Sequence, residues 1–350
     1  VIRNFETRLL WDGQVDTNLL IEGFNIDLSR YEEAGIANVS CVLINNYINS
    51  WYYLGNIVSP WMDLQVRDKN NNSDWTSIFQ GRVDYIKRSH KTRCIAFECR
   101  DGLAKLIDTR FQAEWMNYNG SDIFKKIAEK TGLEIEYNAP VLVNDRMFGQ
   151  FWQVEHKRNM FIAQSRFQTA ADVVFNIARE MSCDVYAEGS KIFCSPVYSN
   201  PQPTSQVYDL DSIGFEGFFS TDVGLSQGIV VHYASWDSRQ RISTHVFYDG
   251  SDFLNKAPDG QNLIYSFKVA GKKLEDLKNL ARTKFNRLNS HIFSSEISLP
   301  GILDLKPRNF FSISINNSKV YLSVERVISE FSLSQGFIQK ITVKKRYGYE

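Results

Sequence analysis

The sequence predicts an α+β, β-rich protein, and three observations carry that prediction. Short apolar or alternating runs rich in β-branched residues fill residues 1–110 and return through 201–350. Between them, about 111–200, two helix–strand units follow one rhythm, GSDIFKKIAEKTGLEIEY from Gly120 and ADVVFNIAREMSCDVYA from Ala171. At 350 residues the chain is also too long for one ordinary core, so two or three domains are expected. The division falls at 1–110, 111–200 and 201–350, with one helix inserted at 272–288.

In the first section, ANVSCVLIN and WMDLQVRD read as strands. The polar break KNNNSDW then leads to SIFQGRVDYIKRS and RCIAFECRD, which flank HKT as an antiparallel hairpin. Asp101 stands where its carboxylate caps a short helix, GLAKLID.

In the middle section, Asn119 and Asp122 take the N-cap and N3 places of the first helix, as Thr169 and Asp172 do in the second. Ile123, Phe124, Ile127 and Ala128 match Val173, Val174, Ile177 and Ala178, one buried stripe per helix. Gly132 is a good stop for the first helix, and Ser182 a poorer one at the matching place. The strands after them alternate as Leu133, Ile135, Tyr137 and as Cys183, Val185, Ala187, and EGSK turns the second into KIFCSP.

NPQPTSQ at 200–206 reads as a linker. Beyond it GIVVHYASW, RISTHVFYD and LIYSFKVA read as strands, before a helix whose apolar face is Leu274, Leu277, Ala281, Phe285 and Leu288. Four strands close the chain, centred on HIFSSEISL, NFFSISI, VYLSVERVISEF and FIQKITVKK. Most neighbouring pairs are expected to be antiparallel.

Composition narrows the function. Hydrophobic residues at 43% and charged residues at 23% mark a folded globular chain. Forty basic side chains offset forty acidic ones, which argues against a broad basic face built to grip DNA. The start VIRNFETRLLWDGQ lacks the pattern of a signal peptide, and no stretch reaches about 18 uninterrupted apolar residues, so no stable membrane insertion is expected. Cys41, Cys94, Cys99, Cys183 and Cys194 read as reduced thiols. Cys94 and Cys99, five apart on one strand, face opposite ways and make a poor metal pair.

Each catalytic or binding pattern fails on its context. GLSQG at 224–228 has a strand after Ser226 where a nucleophile elbow needs a helix. DKNNNSD at 68–74 begins like a calcium loop, but Ser73 replaces the turn glycine and Phe79 the bidentate glutamate. KRSHKTR at 87–93 is basic without interleaved aromatic residues for base stacking. The histidines at 90, 156, 232, 245 and 291 form no metal-ligand spacing, although His232 and His245 lie on strands that can be neighbours. Acid pairs such as Glu32–Glu33 and Asp209/Asp211 show no partner across a cleft. No catalytic, cofactor-binding or metal-ligating residue is therefore assigned, no cofactor is expected, and the chain does not read as an enzyme.

The order of parts resembles the phage tail hub family: the late control D proteins, the gp27-like hubs and the hub part of type VI spike proteins. FQGRVDYIKRSHKTRCIAFECRDGLAKLID is similar to the family's glycine-centred hairpin and its "D-x-L" segment, here Asp101 to Leu103. FQTAADVVFNIAREMSCDVYAEGSKIFCSP is similar to its helix, strand and hairpin. GILDLKPRNFFSISI and YLSVERVISEFSLSQGFIQKITV resemble its closing strands. The resemblance spans about 75–350 and, less strongly, 1–74. Lys306–Pro307–Arg308 departs from it, because the family has glycine after the proline.

The resemblance implies two antiparallel β-barrel-like tube domains flanking the helix–strand units. It implies a homotrimer that joins a hexameric tail tube to a central spike, contacts other baseplate or tail-tip proteins, and lets DNA pass through its lumen without specific binding. Two comparable domains per chain would let a three-fold ring match a six-fold partner. Such a protein is assembled in the bacterial cytoplasm and carried in the virion. No lysozyme or peptidase module follows Glu350, so the fused-enzyme variants of the family are not expected. Two alternatives come from other classes. One is a tail-borne cell-wall-degrading enzyme; the other is a carbohydrate-binding module using Trp51, Trp61, Trp75 and Trp115 as stacking platforms.

Overall fold

The computed structural model describes residues 4–44, 60–70, 73–89, 92–110, 120–138, 169–237, 241–258, 260, 263–270, 272–315 and 318–346. Its first section is built from strands β1 (Phe5–Trp11), β2 (Gln14–Val15), β3 (Leu19–Ser29), β4 (Ile36–Leu43), β5 (Trp61–Asp68), β6 (Thr76–Arg88) and β7 (Cys94–Arg100). Alternation decides what they bury. Ala37, Val39, Cys41 and Leu43 of β4, Met62, Leu64 and Val66 of β5, and Ile95, Phe97 and Cys99 of β7 fill one core with Leu9 and Ile21. The expected hairpin forms, with Arg82 opposite Arg100 and Arg88 opposite Ile95. Cys99 is buried and Cys94 is not, as opposite faces require.

The helix after Asp101, α1 (Leu103–Asp108), belongs to the next layer. Leu103, Ala104 and Leu106 pack with α2 (Gly120–Thr131) and α3 (Ala170–Glu180) in one core. That core lies against a three-stranded sheet of β8 (Glu134–Tyr137), β10 (Lys191–Pro196) and β9 (Cys183–Glu188), in that order. Thr169 and Asp172 close a reciprocal capping box on α3, whereas Asn119 lies outside the described residues. The two helices stop alike: Gly132 has φ +63° and Ser182 φ +51°. The repeat is not a simple translation, because β8 runs parallel to β10 and β9 antiparallel to it.

The last section contains β11 (Val207–Asp209), β12 (Glu216–Thr221), α4 (Val223–Ser226), β13 (Ile229–Asp237), β14 (Ile242–Tyr248), β15 (Phe253–Leu254), β16 (Leu263–Ala270), α5 (Leu274–Asn289), β17 (Phe293–Pro300), β18 (Phe310–Ile315), β19 (Ser318–Ser332) and β20 (Gly336–Lys344). A four-stranded sheet, β15-β14-β13-β16, buries Val231, Tyr233, Val246 and Tyr248 against Leu277, Leu280 and Ala281 of α5. Leu274, expected on that apolar face, is 45% exposed in the first turn, so the buried stripe begins at Leu277. Pairing is mostly antiparallel; β8–β10, β11–β18 and β13–β16 are parallel.

Among the described residues the remaining strands form no sheet of their own. They continue the first section's sheet, in the order β12-β17-β20-β19-β3-β4-β7-β6-β5-β1-β2, with β18 also on β19 and β11 on β18. The join is β19, a strand of 15 residues. Its first half pairs β18 from Ser318 to Ser323, and its second half pairs β3 from Arg326 to Ser332. Two cores therefore hang on one ladder. Among the described residues no helix is long and apolar enough to cross a membrane.

Candidate functional site

The place where β19 changes partner is a β-bulge. Its register against β20 shifts between Val324 and Arg326, which leaves Glu325 as the extra residue. The bulge turns Glu325 inward, and its side chain is fully buried. A buried carboxylate is tolerable only when paired and hydrogen-bonded. Arg346, two residues past β20, donates to both of its oxygens, Nε to Oε1 at 2.8 Å. Arg30, directly after β3, donates its backbone N–H to the Glu325 carbonyl at 2.8 Å and brings Nη1 within 3.6 Å of Oε1.

Arg30 also reaches the middle layer. Its Nε donates to Asp184 Oδ2 at 2.8 Å, its Nη2 makes a second bond to that oxygen, and its Nη1 donates to Ser323 Oγ. Asp184 lies on β9, so one guanidinium ties the helix–strand layer to both parts of the large sheet. Burial alone would raise the Asp184 pKa, but the Arg30, Arg308 and Arg346 charges together hold it below the usual carboxylate range. On the flank, Lys344 Nζ lies 3.2 Å from both Tyr31 OH and His291 Nδ1. Burial, then the Lys344 and Arg346 charges, lower the His291 pKa, so its neutral ring can accept from the lysine.

Arg308 shows what the departure from glycine does. Its φ of +81° is the left-handed conformation that a glycine adopts without cost, so the turn keeps a glycine's geometry with an arginine in it. The guanidinium stacks 3.8 Å over the Tyr186 ring, with Nε 4.0 Å from Asp184 Oδ2. Nε and Nη2 are buried without a hydrogen-bond partner, and burial pushes the pKa down to about 10. Beside it, a cavity of about 530 Å³ is lined by Gln80, Asp101, Tyr186, Glu188 and Lys306. Asp101 accepts the N–H groups of Gly35 at 2.8 Å and Leu103 at 3.0 Å, so its capping role is real and extends to a second loop. Burial pushes its carboxyl up to about 6.

The patterns rejected in the sequence can now be located. Ser226 ends the one-turn helix α4 and donates Oγ to Val223 O at 2.8 Å, with β13 following. Asp68 accepts the Asn70 N–H, Ser73 Oγ accepts the Asp68 N–H, and Phe79 is buried in the core, so position twelve faces away from any loop ion. Residues 71, 72, His90 and Lys91 lie outside the described residues, and Lys87 is ion-paired with Glu98. Asp211 accepts the Ser314 N–H at 3.1 Å, and Glu32 pairs Arg179 at 2.9 Å, so these acids bind within the fold. His232 and His245 do meet: Nε2 and Nδ1 are 3.0 Å apart, with Ser266 Oγ 3.1 Å from the other nitrogen of His232. Among the described residues no three His, Cys, Asp or Glu side chains form a metal-holding group. Trp75 is enclosed by Arg8 and Arg67, at 4.3 and 4.6 Å, and Trp61 is half-buried; Trp51 and Trp115 lie outside the described residues.

Sequence reasoning missed Arg30, Asp184, Glu325 and Arg346 altogether. Only Arg308 carried a signal, as a non-glycine in a glycine's place.

No family model and no curated protein matches the sequence. The fold does match solved structures. A tail protein from Neisseria meningitidis MC58 is similar at 12% identity and a TM-score of 0.64, covering 97% of this chain and 96% of that one. The 43 kDa tail protein of prophage MuSo2 from Shewanella oneidensis is similar at 11% identity and a TM-score of 0.63, covering 97% and 98%. An Escherichia coli component of the type VI secretion system, itself described as similar to the T4 tail proteins gp27 and gp5, gives 10% identity and a TM-score of 0.61 over 98% of this chain and 78% of that one. At these identities the likeness establishes the fold. The chain has the β-rich α+β fold of these phage tail and type VI secretion proteins.

Proposed function

We propose that this chain is a structural, non-enzymatic hub of a bacteriophage tail baseplate or tail tip, or of a related contractile injection machine. In this reading three copies form a ring between the hexameric tail tube and the central spike, in contact with other baseplate proteins. DNA passes through the ring without specific binding. The ring is assembled in the bacterial cytoplasm and carried in the virion. The sections 1–110 and 201–350 act as the two tube domains, and 111–200 braces them.

One observation carries the reading: end-to-end likeness in fold to two tail proteins, covering at least 96% of each chain. The join through β19 supports it, because it fixes two β-rich bodies in one rigid frame, as two quasi-equivalent faces of a ring require. The balanced charge of forty basic and forty acidic side chains suits a passage for DNA better than a binding surface.

The test is the assembly state, by sedimentation of the purified chain and by imaging of particles that contain it. A trimeric ring is the expected result. A chain that is monomeric in both settings overturns the proposal.

A further inference from the structure

Another cavity, of about 240 Å³, lies between α3, α5 and the end of β20. The cations on its walls are Arg30, Arg179, Arg287, Lys344 and Arg346, and the acids are Glu32 and Asp184. Pairing cancels much of this charge. Arg179 takes Glu32 at 2.9 Å, Arg30 takes Asp184, and Arg346 takes Glu325. Lys344 and Arg287 are left over, and no carboxylate among the described residues pairs with either.

Arg287 is exposed in the last turn of α5, where it also complements the helix dipole. Lys344 has no such outlet. It is 7% exposed, and its Nζ meets two neutral groups, Tyr31 OH and the His291 ring, both at 3.2 Å. An ammonium carries three N–H groups, so a third donor remains. A buried cation is costly until an anion is set against it.

The two leftover cations act on one place. Burial, then Lys344 and Arg346, and further down Arg287, lower the His291 pKa, with Glu325 opposing them. His291 is exposed, so the cavity opens to solvent on that side. Thr283, Asn286 and Arg287 line it from one face of α5, as their spacing of three and four requires. Pockets for drug-sized ligands begin at about 300 Å³. This smaller space suits an ion, and two unpaired cations match a dianion better than a carboxylate.

We propose that the cavity binds one free dianion of the phosphate class, between Lys344 at its inner end and Arg287 at its mouth. Such an ion would tie α5 to the end of β20. The site needs no second copy, so its failure leaves the trimeric reading untouched.

Isothermal titration calorimetry of the full chain with phosphate, in chloride of matched ionic strength, tests it. Wild type is expected to bind one phosphate per chain and to melt higher in phosphate than in chloride or acetate. Lys344→Met and Arg287→Gln should each weaken binding by roughly ten- to a hundredfold, the range for one charged hydrogen bond. Arg287 is exposed, so Arg287→Gln keeps the test open if Lys344→Met fails to fold. A short DNA strand, with one charge per phosphate on a chain too wide to enter, should not displace the ion. A wild type that responds to phosphate no more than to chloride overturns the site, as does an Arg287→Gln chain that binds like wild type. Equal binding of acetate, or displacement by the DNA strand, overturns the assignment to a free dianion.

Discussion

Arg30 and Glu325 are bonded twice over: the backbone N–H of Arg30, the residue directly after β3, donates to the carbonyl of the bulge residue at 2.8 Å, and their side chains pair at 3.6 Å. The main-chain bond fixes where the two β-rich sections join. The side-chain pair makes that place depend on charge, since Arg346 and Asp184 complete it.

Glu325→Ala leaves the Arg346 guanidinium facing a buried space without the carboxylate it is bonded to, while Arg30 keeps Asp184. We expect a loss of about 3–5 kcal/mol, the range for breaking a buried pair from one side. Urea denaturation measures it. A loss below about 1 kcal/mol would mean that water reaches the centre and screens it.

Asp101 makes stability depend on pH. Its carboxyl is raised from the ordinary 3.8 to about 6, so the folded chain holds this proton more tightly than the unfolded chain. The resulting stability is fully present below about pH 3.8 and is lost as the pH rises through about 6. Between those values the advantage of wild type over Asp101→Asn should shrink, by on the order of 2–3 kcal/mol. Urea midpoints of the two proteins at pH 4, 5, 6 and 7 give the comparison. Parallel profiles would show that the carboxyl is solvated.

Arg308→Gly should be neutral or stabilising, unusual for removing a charged and stacked side chain. Glycine relieves a left-handed backbone at φ +81°, roughly 1–2 kcal/mol, and removes two buried nitrogens without partners. Asp184 keeps Arg30. Calorimetry should show an unchanged or higher melting temperature. A marked drop would mean that the stack on Tyr186 outweighs the strain.

Gly81→Ala tests why the hairpin centres on glycine. A Cβ there would run into the Arg100 carbonyl and lie 2.7 Å from Phe79 Cε1, a backbone and a core ring with no room to give. We expect a loss of about 1–3 kcal/mol, typical of overpacking, in chemical denaturation. A neutral result would show that β6 and β7 can separate locally without cost.

The strands and the capping box were legible because their signals are local. Period-two alternation marks Met62, Leu64 and Val66 as buried within a single run, and Thr169 and Asp172 are three residues apart. The charge centre was not legible. Arg30 and Asp184 are 154 positions apart, and each taken alone looks like an ordinary surface charge. The pairing of β3 with β19 has no local mark either, because any apolar strand edge satisfies the same rules. Topology, not composition, brought these residues together.

The undivided course of β19 has a mechanical consequence. Its second half is held on both sides, by β3 of the first section and by β20 of the last, so a force drawing the two sections apart along the strand acts as shear. The ladder hydrogen bonds on each side then bear the load together instead of opening one after another. A frame strung on such a strand would move as one piece under an applied load, with the bulge at Glu325 as the point where bending can be concentrated.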